Sequence, residues 1–373
     1  MPAAEVPSPD EQEPEEAAKT VNAATVGNRT RQIQGALFTT VGGLLAVVSV
    51  FLPWAQDGSL ISSYVELSDA NLPGQSFVGW QPEGGSFLGI IFGISGLVAG
   101  LVGVMSFRNN RAREKLPFLK AESGVVSALV ALICAISYLW VNPAPWSDAY
   151  TEGIGVWLAL AAAVIALVGS IILASNRRVA ALDDSPRSYV RIIALVTAGL
   201  VLIGVGGLST WVFDERRESA FSSQTSQEEI AALRESDDPA VAAAQIASLA
   251  ASERTRVQLA TITGFADQDA GEETTGLAWV ALFAALAALA VALFAFLTAA
   301  SPDRAKRQWL LDLTMLGLGL GAMSIPLAWV LLIMEMGDTR VVAGVGTLFA
   351  IVGGFVIATT GASGLKKVTD EWT

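Results

Sequence analysis

The stretch Gly35–Trp54, GALFTTVGGLLAVVSVFLPW, carries no charge and closes on a proline and a tryptophan. Its length is that needed to cross roughly 30 Å of hydrocarbon as a helix. Seven further apolar runs follow, over 86–106, 122–141, 153–175, 190–213, 276–299, 309–334 and 341–362. In lipid an open segment satisfies its backbone only as a helix. A closed barrel would need short alternating strands at regular spacing, and the runs are not built that way. The expected fold class is an all-α membrane protein of eight transmembrane helices.

Composition agrees. Hydrophobic residues make up 53% of the 373 and charged residues 16%, against about 25% charged in a typical soluble domain. The charges fall in clusters between the runs. Arg29 and Arg31 precede the first, and Arg108, Arg111, Arg113, Lys115 and Lys120 follow the second. Arg177, Arg178, Arg187 and Arg191 follow the fourth, Arg304, Lys306 and Arg307 the sixth, and Lys366 and Lys367 the last. The alternate segment 55–85 holds Asp57, Glu66, Asp69 and Glu83 without a base, and 142–152 holds Asp148 and Glu152. Because basic loops stay inside, the expectation is a plasma-membrane protein with both termini cytoplasmic. No cleavable signal peptide is expected, since an acidic stretch precedes the first run.

The runs fall into two sets of four with one plan: span, long outer loop, span, basic loop, span, short acidic loop, span. Phe51-Leu52-Pro53-Trp54 and Ser209-Thr210-Trp211-Val212 close the first and fifth. Glu122 and Asp312 open the third and seventh, and Gly153-Ile154-Gly155 and Gly344-Val345-Gly346 open the fourth and eighth. Two tandem, same-orientation four-helix repeats are therefore expected. The first spans 34–178 with outer loop 55–85, and the second spans 179–373 with outer segment 214–275. Residues 1–33 read as a disordered acidic cytoplasmic tail. The loop 55–85 reads as ordered turns. In 214–275, Ser226 and Glu229 form a capping-box pattern and Asp238-Pro239 a second helix start. A helical cap there, over about 226–235 and 238–251, stands beside the alternative of a flexible acidic loop.

Several chemistries are excluded or disfavoured. The chain has no histidine and a single cysteine, Cys134. Ser–His and Cys–His pairs are impossible, and zinc, haem or iron–sulfur ligation is not expected. A net charge of −12 argues against nucleic acid as a partner. Gly317-Leu318-Gly319-Leu320-Gly321 lies inside an apolar run and lacks the preceding strand of a dinucleotide loop. The span centres carry no acid or base, so neither a proton relay nor an acid–base couple is at hand. Glu122 and Asp312 sit at cytoplasmic ends within reach of Lys120 or Arg307, and Pro326 beside Ser324 marks a kink or broken helix. No enzyme activity and no cofactor are expected.

Gly89, Gly93, Gly96 and Gly100 recur at three- and four-residue spacing, as do Gly317 and Gly321. Such spacing lets helix backbones approach, within the bundle or against another subunit. Trp54, Trp80, Trp140, Trp146, Trp211, Trp279 and Trp329 cluster toward the outer side, where interface anchoring accounts for most. Trp54 and Trp80, flanking the first outer loop, are candidate outer-surface contacts for a sugar or a partner.

With Leu52-Pro53-Trp54 closing the first span and Ala- and Val-rich helices throughout, the chain resembles the auxiliary integral membrane subunits (MusI-like) beside corynebacterial maltose ABC importers. The resemblance is one of topology and composition over the whole chain. It implies a non-catalytic partner of permease subunits in sugar uptake. The alternative is a stand-alone transporter or channel for a small neutral or lipid solute, lined by Thr39, Thr40, Ser137, Thr197 and Ser324.

Overall fold

The computed structural model describes residues 9–57, 77–81, 87–107, 121–141, 150–175, 189–217, 257–263, 276–298, 304–336 and 341–369. In chain order the elements are α1 (Pro9–Val50), β1 (Pro53–Asp57), β2 (Phe77–Val78), α2 (Leu88–Phe107), α3 (Ala121–Val141), β3 (Tyr150–Glu152) and α4 (Ile154–Ser175). Then come α5 (Tyr189–Leu208), β4 (Thr210–Arg217), β5 (Val257–Thr263), α6 (Leu277–Leu297), α7 (Arg304–Met336), β6 (Val341–Ala343) and α8 (Val345–Thr369). Among the described residues, eight helices are long and apolar enough to cross a membrane. The chain is a multi-pass membrane protein of all-α type. Large apolar side chains such as Leu44, Ile94, Leu101, Val168, Val201, Leu293 and Phe355 lie exposed on its outer surface, compatible with lipid contact.

The first four helices pack as one group, α1 against α2 and α4, and α3 against α2 and α4. The last four repeat these pairings, α5 against α6 and α8, and α7 against α6 and α8. The groups meet along α3 and α7. Leu129 faces Gly317, Ile133 faces Gly321, and Cys134 lies 3.6 Å from the Ser324 hydroxyl. Residue numbers rise together on both sides of this seam, so α3 and α7 run parallel. The strands that follow these two helices therefore lie at one end of the bundle.

Those strands correct the sequence reading in detail. The segments expected as turns and as a helical cap contribute two small antiparallel sheets, ordered β2-β1-β3 and β5-β4-β6. The apolar runs at 190–213 and 341–362 likewise include strand at 210–213 and 341–343. The physical reason is cooperative. Two-residue and three-residue strands have no standing alone, and only pairing across distant segments satisfies their backbones. The expected helices at 226–235 and 238–251 lie outside the described residues. The segments that flank them, 214–217 and 257–263, are strand.

Two further expectations change. The stretch 9–33, read as part of a disordered tail, is helix continuous with the first span. Its Glu- and Ala-rich composition favours helix, and acids near the start suit the helix dipole. Residues 1–8 lie outside the described residues. Pro326 does not break α7, which runs as one helix from Arg304 to Met336.

Candidate functional site

The two sheets are joined to the helices by a tryptophan in each group. After α1, Leu52 precedes a proline and is steered away from helix, and β1 begins. The register of β1 against β2 slips between Pro53 and Ala55, which places Trp54 in a bulge. A bulge re-aims the side chain that occupies it. Trp54 is 1% exposed, and its indole N–H donates to the Ser49 carbonyl at 2.9 Å. Phe92 and Tyr138 meet the ring edge-on, at 5.4 and 4.9 Å between centroids. The Trp54 carbonyl accepts from Gly153 N–H at 2.7 Å, which ties β1 to the start of α4.

The second group repeats this. The register slips between Thr210 and Val212, placing Trp211 in the bulge. Trp211 is fully buried, its indole N–H donates to the Gly206 carbonyl at 2.9 Å, and its carbonyl accepts from Gly344 N–H at 2.7 Å. The β1–β3 pairs Ala55–Glu152 and Asp57–Tyr150 have counterparts in Val212–Ala343 and Asp214–Val341.

Trp54 is thus not an outer-surface contact. Its ring completes the core beneath the sheet, because the bulge turns it inward. Trp80 is half-exposed and remains available on the surface.

The glycines singled out by spacing all face this chain. A methyl group at Gly89 would lie 2.6 Å from the Gly79 carbonyl carbon, and at Gly96 2.5 Å from the Ala46 methyl. Gly93 faces Val50 and Gly100 faces Gly43, while Gly317 and Gly321 receive Leu129 and Ile133. Five of the six therefore face helices of this bundle, and Gly89 faces the turn after β2. Spacing missed a second set of close approaches. A methyl at Gly42 would lie 2.8 Å from the Ala162 carbonyl oxygen, and one at Gly199 2.8 Å from that of Gly353. Gly43 abuts the backbone of Gly96 and Gly100, and Gly361 that of Asp312 and Leu316. Being glycines inside an apolar run was their signal, but facing direction is not visible without the partner helix.

The hydroxyls weighed as a solute path are directed to their own helices. Thr39 donates to Gly35, Thr40 to Ala36, Ser137 to Ile133 and Ser324 to Gly321, at 2.7–2.8 Å. Thr197 is exposed on the outside of α5. The five do not converge.

At the opposite end from the sheets, Asp312 is 1% exposed and Gln308 4% exposed, with the Gln308 amide donating to the Tyr189 hydroxyl at 2.7 Å. The side chains of Lys120 and Arg307, expected beside Glu122 and Asp312, lie outside the described residues. Among the described residues no group of three or more His, Cys, Asp and Glu is placed to hold a metal ion. Comparison with protein-family models, curated proteins and solved structures finds no match.

Proposed function

We propose that the chain is a non-catalytic auxiliary or scaffolding subunit of a larger membrane complex. The host named by the sequence resemblance is an ABC-type sugar importer, with permease subunits as the partners. In this reading the protein sits in the plasma membrane with both termini cytoplasmic, and the sheets meet partners on the outer side. Its two four-helix groups are tandem repeats of one ancestral unit. The matched bulged tryptophans, sheet orders and glycine contacts support that descent.

One observation carries the choice of scaffold over conduit. The hydroxyl groups that an uncharged path would need are bonded back to their own helix carbonyls. A Ser or Thr bonded to the preceding turn has satisfied its donor within the helix. Glycines meanwhile bring neighbouring backbones into contact, the arrangement of a rigid packing element. A scaffold of this kind shifts the populations of its host only through contacts that differ between the host's states.

The test is affinity purification of the tagged chain from its native membrane in mild detergent, followed by mass spectrometry. Stoichiometric permease, ATPase or solute-binding subunits are the expected result. Recovery of the chain alone overturns the scaffold reading and favours a self-contained transporter.

A further inference from the structure

We infer that the α3–α7 seam is a mechanical joint, on which two rigid four-helix groups shift relative to each other. The inference goes beyond the scaffold reading and does not depend on it.

Within each group some glycines meet side chains, as Gly93 meets Val50, but others bring backbone onto backbone, and that second kind of contact is not found at the described glycines facing across the seam. Inside the first group, Gly42 and Gly43 of α1 lie against the backbones of α4 and α2. Inside the second, a methyl at Gly353 would lie 2.6 Å from the Gly199 carbonyl oxygen, and one at Gly354 2.7 Å from the Met323 nitrogen. Backbone against backbone has no rotamer to change, so neither helix can slide without losing the contact. Among the described glycines, the two that face across the seam meet side chains instead, Leu129 at Gly317 and Ile133 at Gly321.

Other contacts described between the groups are made by side chains, the second of those that follow joining α3 to α6. Cys134 meets Ser324, Trp140 meets Phe283 at 6.0 Å between centroids, and Val125, Leu129, Trp309 and Leu313 cluster together. Side chains can change rotamer as packed helices slide, which is how shear motion is accommodated. Pro326 lies two residues beyond Ser324 and lacks a backbone N–H, so α7 forgoes one helical hydrogen bond beside the seam.

The experiment measures distances between spin-label pairs in the full-length chain, with Cys134→Ala as background, in lipid nanodiscs. Labels replace Phe107, Ile154, Leu297 and Val345, all at least 49% exposed. The pairs 107 with 154 and 297 with 345 lie within groups, and 107 with 345 and 154 with 297 cross the seam. The joint predicts narrow, single distributions within groups and broader or two-peaked ones across. Gly317→Ala, which presses on Leu129, is expected to move only the cross-seam distances. Equal widths in all four pairs overturn the joint, whatever Gly317→Ala does, and leave the scaffold reading intact.

Discussion

Trp54 and Trp211 hold the same place in the two groups, each with its indole N–H bonded to a carbonyl five residues earlier. Trp54 has a hydrogen bond and two edge-on aromatic neighbours. Trp54→Ala is therefore expected to destabilise the protein by about 3–5 kcal/mol, the usual cost of truncating a large buried aromatic. Trp211→Phe removes the bond to Gly206 and part of a fully buried ring, and is expected to cost about 1–3 kcal/mol. Unfolding in detergent, followed by near-ultraviolet circular dichroism, checks both. Glycines separate in the same assay. At Gly204 a methyl would find its nearest neighbour at 4.0 Å, whereas at Gly199 it would meet the Gly353 carbonyl oxygen at 2.8 Å. Gly204→Ala should be neutral or mildly stabilising and Gly199→Ala destabilising. Equal effects would contradict the packing described.

The elements show which parts of the fold were legible in sequence and which were not. Each span is a local property, since twenty or so apolar residues form a helix in lipid wherever they occur. That is why all eight were readable, although α1 begins at Pro9, well before the run expected from Gly35. The strands are not local. β2 has two residues and β3 and β6 three each, and each exists through pairing with a segment distant in the chain. The same holds for Trp54. Its position at the end of a span reads as an interface anchor, and only the register slip in β1 shows that it points inward. The glycine spacing omitted Gly42, Gly199 and Gly353, whose partners sit on the fourth, eighth and fifth helices respectively. The sheets should matter to stability. Gly344 donates to the Trp211 carbonyl at 2.7 Å, so Gly344→Pro is expected to cost at least about 1 kcal/mol. An unchanged melting temperature would show that the sheet does not brace α8.

At the scale of the molecule, two four-helix groups stand side by side with their third helices parallel. If the chain acts by packing, replacing the span hydroxyls should leave uptake by the host complex unchanged. Thr39→Val, Thr40→Val, Ser137→Ala and Ser324→Ala, singly or together, are expected to retain both complex assembly and transport rate. A rate loss with assembly intact would point to a solute path through this chain.

All of this rests on eight spans that place both sheets at one membrane face. Single cysteines in a Cys134→Ala background, probed on intact cells with a membrane-impermeant thiol reagent, test that arrangement most directly. Cysteines at Gln56, Thr151, Asp214 and Val342 should be labelled from outside, and those at Asn110, Ser185, Asp303 and Lys366 only after permeabilisation. Labelling of the first two positions from one side of the membrane and of Asp214 and Val342 from the other would contradict the account.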